Sequence, residues 1–246
     1  MTMHESAPVV LITGASRGLG LETARLFARR GAGLILTARG AAALEAAADE
    51  LRRLTDVVAE PGDVADPAHA ADLVRRGLTH FGRIDVLINN ASRIGAIPMP
   101  GLPSYPIEAF DEVFRVNVRA PLHLIQLVLP GMQERGVGAI VNITSDAGVE
   151  AYPGWGGYGA SKAALEHLSR VLAAELDGTG IRVYVVDPGD MDTQMHRDAE
   201  PDVDLSGLPG PEVPAPAIVR LALDETTAFG RYQAQALVAP VAIGGH

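Results

Sequence analysis

Residues 9–20 read VVLITGASRGLG, and their pattern is the strongest indication of the fold class. The run Val9–Thr13 predicts a buried strand, and the residues that follow Gly20 predict an amphipathic helix. Gly14, Gly18 and Gly20 can adopt positive φ angles and leave no Cβ between the backbone and a ligand. A strand, a glycine turn and a helix N-terminus in this order direct free N–H groups at an anion such as a pyrophosphate. The stretch therefore predicts a nucleotide site on an α/β fold.

The alternation of strand and helix continues along the chain. The other apolar runs lack polar alternation, as is typical of parallel strands with helices on both faces. We therefore predict an α/β fold with a Rossmann-type, doubly wound parallel sheet of about seven strands, in a single nucleotide-binding domain over residues 1–246. The predicted strands are Val9–Thr13, Leu34–Thr37, Asp56–Glu60, Asp85–Asn89, Ala139–Thr144, Ile181–Val186 and Gln235–Val241. The predicted helices include Gly20–Arg30, Ala41–Leu54, Pro67–Phe81, Ile107–Arg135 and Tyr158–Asp177.

Composition excludes several kinds of chemistry. The 246 residues include no cysteine, which excludes disulfides, thiolate metal sites and cysteine nucleophiles. A net charge of −10 argues against a broad surface for nucleic acid or anionic membranes. Residues 1–6 are expected to form a flexible tail without a signal peptide, and no uncharged run reaches the roughly 18 apolar residues of a membrane span. The lack of cysteine fits a reducing compartment, so we expect a cytoplasmic protein. The histidines show no metal-ligand spacing, so we expect no metal site.

The end of the second predicted strand bears on the choice of cofactor. An acid at this point would bind the ribose hydroxyls of NAD, but the strand ends at Arg39. Arg39, together with Arg17 in the glycine turn, suits a 2′-phosphate because a guanidinium contacts two phosphate oxygens at once. The alternative is that both are solvated surface arginines. We predict NADP(H) in preference to NAD(H).

A tyrosine and a lysine four residues apart indicate acid–base chemistry. Tyr158 and Lys162 would lie on one helix face, where an ammonium lowers the phenol pKa from about 10. The alternative is a partly buried tyrosine near a surface lysine. Ser145 ends a predicted strand at the edge of the sheet where ligands bind. Asn117 lies within a predicted helix, where asparagine is a mediocre helix former.

These motifs together resemble those of one family. With Thr13 in front, the Gly-x-x-x-Gly-x-Gly spacing is similar to the glycine motif of the short-chain dehydrogenase/reductase family. Asn117, Ser145, Tyr158 and Lys162 match its catalytic tetrad, and Asn89-Asn90-Ala91 resembles its Asn-Asn-Ala-Gly. The chain is therefore identified as a member of the short, single-domain branch. Two positions depart from the pattern, because Ser92 replaces a glycine and Asp187 replaces a common asparagine.

The resemblance implies an NADP(H)-dependent oxidoreductase that acts on CH–OH donors and interconverts a carbonyl and a secondary alcohol. Ser145 would hydrogen-bond the carbonyl oxygen, Tyr158 would donate the proton, Lys162 would hold the cofactor ribose, and Asn117 would position a water. The family also implies a homodimer or homotetramer that associates through the two long helices. The implied cofactor-binding residues are Gly14, Ser16, Arg17, Gly18, Leu19, Gly20, Arg39, Asp63, Val64, Asn90, Ala91, Tyr158, Lys162, Pro188, Gly189 and Thr193. Asp63 could instead cap a helix that begins near Ala65.

The substrate side is less specific. Residues 194–216 are predicted to form a substrate-covering loop, and Tyr152, Trp155 and Met195 are predicted to form an apolar wall. The acids of this loop either repel anionic substrates or keep a mobile lid soluble, and His196 is a candidate substrate contact. Two other functions stay open. The chain could be a non-catalytic NADP(H)-binding regulatory protein, which an intact tetrad disfavours, or a dehydratase or epimerase, which its short length disfavours.

Overall fold

Within residues 7–224 and 226–238, seven strands form one parallel sheet in the order β3-β2-β1-β4-β5-β6-β7. The computed structural model describes residues 7–224 and 226–238, so the predicted tail at 1–6 and positions 239–241 of the last predicted strand lie outside the described residues. The strands are β1 Val9–Thr13, β2 Gly33–Ala38, β3 Val57–Pro61, β4 Val86–Asn89, β5 Gly138–Ile143, β6 Ile181–Asp187 and β7 Gly230–Gln233.

Helices cover both faces of this sheet. They are α1 Gly18–Ala28, α2 Ala41–Leu51, α3 Pro67–Phe81, α4 Ile107–Phe114, α5 Ala120–Arg135, α6 Gly156–Glu175, α7 Gln194–Ala199, α8 Ala215–Leu223 and α9 Ala234–Val238. Successive residues of β1 point to opposite faces, so Ile12 packs in a core with α1, α2 and α8 while Leu11 packs in a second core with α3, α5 and α6. The predicted Rossmann-type, doubly wound fold is confirmed.

The strand order reverses between β1 and β4, which are neighbours in the sheet although β2 and β3 separate them in sequence. Connections leave this point in opposite directions, and the carboxyl ends of the two strands open a crevice for ligands. The glycine turn follows β1 and Asn90 follows β4, so both lie at this crevice.

Three predicted elements were wrong in detail. The last strand is β7 at Gly230–Gln233, and residues 234–238 form α9 instead of the predicted strand. β7 is polar, but it pairs with β6 from Tyr184↔Gly230 to Asp187↔Gln233. β7 is an edge strand that forms through this backbone pairing with β6. Apolar runs predict buried strands, so they gave no signal for a polar strand at the edge of the sheet.

The long predicted helix at 107–135 is also interrupted. Residues 115–119 form a π-helical segment between α4 and α5, in which the Ala120 N–H donates to the Arg115 carbonyl. Pro121 has no N–H, so the α-helical hydrogen bond to the Asn117 carbonyl cannot form. The predicted loop at 194–216 likewise contains α7, whose first turn is capped by the Thr193 hydroxyl through the His196 N–H at 3.3 Å.

The glycine turn packs tightly against the end of β4. Gly14 and Gly18 have φ angles of +68° and +56°. The Asn90 Nδ2 donates to the Thr13 carbonyl at 2.8 Å, and the Thr13 hydroxyl accepts from the Asn90 and Ala91 N–H groups at 3.0 and 2.9 Å. A Cβ at Gly20 would lie 2.4 Å from the Gly14 carbonyl oxygen, so this position has no room for a side chain.

None of the helices in residues 7–224 and 226–238 combines the length and the apolar character that a bilayer span requires.

We predict that Gly20→Ala lowers the free energy of unfolding by about 1–3 kcal/mol, because the new methyl forces backbone atoms of the turn apart. The matched control is Gly40→Ala at the start of α2, where a Cβ meets no atom closer than 3.9 Å. Gly40→Ala should change stability by less than about 1 kcal/mol. Urea denaturation of both variants checks this, and equal losses would contradict the steric account of the turn.

Candidate active site

Tyr158 and Lys162 lie one turn apart on α6, and both are buried. The Lys162 Nζ donates to the Ile143 carbonyl at the end of β5, at 2.8 Å, and lies 5.3 Å from the centroid of the Tyr158 ring. The β5 backbone therefore holds the ammonium beside the phenol. Lys162 is also the only lysine in the 246-residue sequence.

Burial controls the protonation of this pair. It raises the pKa of Tyr158 to about 12, against the opposing effect of hydrogen bonds with the Ser92 and Ser145 hydroxyls. It lowers the pKa of Lys162 to about 8, against the opposing effect of the Glu166 and Asp187 carboxylates. The expected net lowering of the phenol pKa does not occur here, because desolvation outweighs the neighbouring groups. At neutral pH the phenol keeps its proton and the lysine keeps its charge.

Ser145 follows β5 and caps a short 3₁₀ turn at Asp146–Gly148. Its hydroxyl accepts from the Ala147 N–H at 3.2 Å and donates to the Asp146 Oδ1 at 2.8 Å. The Tyr152 hydroxyl donates to the Asp146 Oδ2 at 2.8 Å. The serine hydroxyl is thus held at the carboxyl edge of the sheet by an acid that sequence reasoning did not identify.

Asn117 is buried in the π-helical segment. Its Oδ1 accepts from the Ser92 hydroxyl at 3.2 Å and the Arg93 N–H at 2.8 Å, and its Nδ2 donates to the Arg93 carbonyl and the Ser161 hydroxyl, each at 2.9 Å. Both N–H donors are therefore used within the protein. The side chain joins the segment after β4 to α6, and it has no free donor to hold the predicted water.

A cavity of about 390 Å³ opens at this edge of the sheet. The cavity brings together Ser145, Tyr158, the turn after β6 and the predicted apolar wall. Among the predicted residues, its lining includes Ser145, Tyr152, Trp155, Tyr158, Pro188, Gly189, Thr193 and Met195. His196 also lines it, with its ring edge-on to Trp155 at 6.5 Å between centroids and its Nε2 3.2 Å from the Glu200 Oε2. No cluster of potential metal ligands occurs in the described part of the chain.

The lining of this cavity is acidic. It includes five acidic residues and contains no lysine or arginine. Two of them, Glu200 and Asp204, come from the predicted covering loop, whereas Asp198 accepts from Gln194 at 2.7 Å and does not line the cavity. The five are Asp146, Asp187, Asp190, Glu200 and Asp204.

The other predicted cofactor residues lie at the glycine turn and the neighbouring strand ends. Arg17 is the N-cap residue of α1 and forms no side-chain cap, so the first N–H groups of the helix are not capped by it. Arg17 and Arg39 are exposed, and within residues 7–224 and 226–238 neither side chain has an ion-pair or hydrogen-bond partner. A glycine cradle with uncapped N–H groups and two unpaired guanidiniums fits a dinucleotide with an additional phosphate.

Asp63 follows β3 and does not cap α3. Its Oδ1 accepts from the Ala65 N–H at 2.9 Å, and its Oδ2 lies 3.8 Å from the Arg115 Nη2. Asp66 is the cap of α3, because it accepts from the Ala68 N–H at 2.9 Å. The alternative role considered for Asp63 is therefore wrong, and its role toward a cofactor stays a prediction.

Sequence reasoning missed a second group of charged residues behind the cavity. Glu166, Asp187 and Arg231 form two ion pairs at 3.0 Å, and both acids are buried. Asp187 was visible in the sequence only as a departure from a common asparagine. A buried carboxylate needs a cation or several hydrogen-bond donors. The aspartate at the end of the apolar run VYVVD could therefore have predicted a cationic partner such as an arginine.

The similarity of this chain to known proteins establishes its family. A family model for short chain dehydrogenases matches residues 8–204. The chain belongs to the short chain dehydrogenase family. It is 40% identical over 195 residues to the 2-(R)-hydroxypropyl-CoM dehydrogenase of Xanthobacter autotrophicus, with 76% of each chain covered. It is 32% identical over 201 residues to the D-β-hydroxybutyrate dehydrogenase of Rhizobium meliloti, with 78% of this chain and 74% of the relative covered.

Solved structures of short chain dehydrogenases have the same fold. One from Pseudomonas syringae superposes with a TM-score of 0.87 at 33% identity, covering 94% of this chain and 95% of the other. An alcohol dehydrogenase from Thermococcus sibiricus, complexed with 5-hydroxy-NADP, gives 0.82 at 29% identity, covering 92% and 95%. An NAD⁺-bound xylitol dehydrogenase gives 0.81 at 26% identity, covering 94% and 98%. This short chain dehydrogenase is therefore an oxidoreductase that acts on CH–OH donors with a nicotinamide cofactor.

Proposed function

We propose that this short chain dehydrogenase is an NADP(H)-dependent carbonyl reductase that interconverts a ketone and a secondary alcohol. The observation that carries this proposal is the convergence of Ser145 and Tyr158 on one cavity, with the Lys162 Nζ 5.3 Å from the tyrosine ring. A hydroxyl donor and a protonated phenol beside a fixed ammonium suit a carbonyl oxygen that gains negative charge.

Each side chain then has a defined task. A nicotinamide cofactor held at the glycine turn and by Lys162 would supply the hydride for the carbonyl carbon. The Ser145 hydroxyl turns its hydrogen from Asp146 to the carbonyl oxygen and stabilises the developing alkoxide. Tyr158, whose raised pKa keeps it protonated, donates its proton to that oxygen. Lys162 holds positive charge beside the phenolate that remains, and it binds the ribose of the cofactor.

Asn117 has a positioning task in this scheme. Its hydrogen bonds tie the Ser92-Arg93 segment to Ser161 on α6, so they fix the end of β4 relative to Tyr158 and Lys162. The main-chain carbonyl of Asn117 has no α-helical donor, because residue 121 is a proline. This carbonyl is the group of Asn117 that can hold the water of a proton relay.

The preference for NADP(H) rests on Arg17 and Arg39. Solved relatives bind either cofactor, since one is complexed with 5-hydroxy-NADP and another with NAD⁺. Two unpaired guanidiniums flank the turn at the ends of β1 and β2, where a 2′-phosphate would lie. Cellular NADPH would favour reduction over alcohol oxidation.

The cavity lining supports a substrate without negative charge. Five acidic residues belong to the lining, which includes no lysine or arginine, and Trp155 and Met195 add apolar surface. Of the five, Asp187 is paired with Arg231, which leaves Asp146, Asp190, Glu200 and Asp204 as the acids that set the charge of the cavity. A carboxylate substrate such as the hydroxybutyrate named for the Rhizobium meliloti relative would meet like charge here. We therefore propose that the substrate is an uncharged or cationic carbonyl compound with an apolar body.

We further propose that the protein is a cytoplasmic homodimer or homotetramer. The absence of cysteine fits a reducing compartment. On α6, one of the two helices expected at the interface, Val171 is 45% exposed in the isolated chain.

The tyrosine assignment predicts that Tyr158→Phe abolishes ketone reduction, with a loss in kcat of at least about 100-fold, because no other group delivers the proton. NADPH affinity should change by less than about threefold, since the phenol hydroxyl contributes one hydrogen bond at most. NADPH oxidation at 340 nm and NADPH fluorescence titration measure the two effects. Tyr232→Phe on β7 is the matched control and should keep full activity, whereas activity in Tyr158→Phe would contradict the mechanism.

The cofactor assignment predicts that Arg39→Asp lowers the ratio of kcat/KM for NADPH to that for NADH by about 100-fold, because the carboxylate repels a 2′-phosphate and accepts from ribose hydroxyls. Arg53→Asp, an exposed arginine just beyond α2, should leave the ratio unchanged. Steady-state kinetics with both cofactors decide the matter, and an unaltered ratio in Arg39→Asp would remove the arginine from the cofactor site.

The substrate assignment predicts that methyl acetoacetate is reduced with a kcat/KM at least about fivefold above that for acetoacetate, since like charges a few ångströms apart cost about 1 kcal/mol or more. The double variant Glu200→Gln/Asp204→Asn should lower the ratio of kcat/KM for methyl acetoacetate to that for acetoacetate. Asp198→Asn changes an acid outside the cavity and should leave this ratio unchanged. If acetoacetate is the better substrate of the unaltered enzyme, the acidic lining does not select by charge.

A further inference from the structure

One guanidinium contacts three segments of the active site from behind. Arg231 lies on β7, paired with Val185 of β6. Its Nε donates to the Glu166 Oε1 at 3.0 Å, and its Nη2 donates to the Asp187 Oδ2 at 3.0 Å and to the Ser145 carbonyl at 3.2 Å. Arg231 therefore connects the end of β5, helix α6 and the end of β6, and each of these segments carries an active-site residue.

The two acids that it contacts are almost fully buried. Glu166 and Asp187 are each 3% exposed. Glu166 also accepts from the Thr144 hydroxyl at 2.7 Å, and Asp187 from the Gly189 N–H at 2.9 Å. Within the described part of the chain, Arg231 is the one ion-pair partner of Asp187. Removing the cation from such a pair leaves an uncompensated buried charge, so we expect the loss of the Arg231 guanidinium to change the electrostatics of the site.

The same acids act on the catalytic lysine. Glu166 follows Lys162 by one turn of α6, and both Glu166 and Asp187 favour the charged form of Lys162. Two further charged groups lie near this cluster. They are Asp146 on the cavity side and Arg170, whose Nη2 lies 3.7 Å from the Glu166 Oε2 and whose side chain is 58% exposed. The positive charge of Arg231 opposes the two buried carboxylates from a half-buried position, since its side chain is 23% exposed.

We propose that Arg231 is a positioning residue of the active site, which fixes the Ser145 backbone, α6 and the turn at Pro188-Gly189 relative to one another and balances the two buried carboxylates beside Lys162. Arginine suits this task because its planar fork offers donors in several fixed directions, whereas a lysine ammonium is a single point charge on a flexible stem. The aspartate at position 187, in place of the family's asparagine, gives the guanidinium its second ionic partner.

The experiment uses the single lysine of the chain. Protein labelled with ¹³C and ¹⁵N only in lysine has one side-chain ammonium to observe, so the pKa of Lys162 can be read by NMR without substrate or cofactor. The unaltered protein should titrate with a pKa of about 8. Arg231→Gln should raise this pKa by about one unit, because the carboxylates then act on Lys162 unopposed.

The acids should act in the opposite direction. Glu166→Gln and Asp187→Asn should each lower the Lys162 pKa by about one unit, and Arg231→Gln combined with Asp187→Asn should return it close to the starting value. Arg170→Gln is the matched control, since it removes an exposed arginine near the same glutamate, and it should shift the pKa by less than about 0.3 units. Opposite shifts for Arg231 and its partners are not expected from a loss of stability alone.

Arg231→Lys separates geometry from charge. It should keep the Lys162 pKa within about 0.3 units but lower kcat for ketone reduction by about 10-fold to 100-fold, because one ammonium cannot hold all three acceptors. If Arg231→Gln does not fold, the Glu166, Asp187 and Arg231→Lys variants still report the coupling.

A Lys162 pKa that is unchanged in Glu166→Gln and Asp187→Asn would overturn the electrostatic part of this proposal, and full kcat in Arg231→Lys would overturn the geometric part. The kinetic arm rests on the proposed reductase activity, whereas the titration does not. An unaltered protein that consumes no NADPH with any carbonyl therefore contradicts the proposed function and leaves the titration to decide the charge balance.

Discussion

The candidate active site depends on the burial of one ammonium group. Lys162 is 2% exposed, and a charge in such a position is stable only if the protein supplies donors, acceptors and counter-charges. The Ile143 carbonyl accepts from it directly, and Glu166 and Asp187 favour its charge. Those acids are themselves buried and need Arg231. The need to stabilise the buried charge of Lys162 thus links α6 to the ends of β5 and β6 and to the edge strand β7.

The two sides of the ligand crevice carry opposite charge. The glycine turn offers uncapped N–H groups and the exposed side chains of Arg17 and Arg39, which suits a polyanionic cofactor. The cavity beyond Tyr158 is lined by carboxylates and apolar groups. The net charge of −10 averages over both regions and describes neither of them. Local arrangement, set by which strand ends lie side by side, decides which ligand each region favours.

Much of this architecture could be predicted because the relevant interactions are local in sequence. Helix α3 matches its predicted bounds, since Asp66 caps it, Pro67 begins it and Gly82 ends it with a φ of +76°. The candidate tetrad could be selected because tyrosine and lysine four residues apart necessarily share a helix face. Strand β7 and Arg231 could not, because a polar edge strand forms through pairing with β6 and shows no apolar pattern of its own.

The doubly wound sheet, the glycine turn and the family could all be predicted from the sequence, because periodicity, turn chemistry and motif spacing act over short stretches of chain. The protonation of Tyr158 and Lys162 and the partners of their charges depend on the tertiary structure. Desolvation raises the pKa of Tyr158 to about 12 and lowers that of Lys162 to about 8, in place of the expected lowering of the phenol pKa. Burial and the approach of Arg231, 65 residues from Glu166, depend on the packing of the whole sheet, which no local pattern encodes.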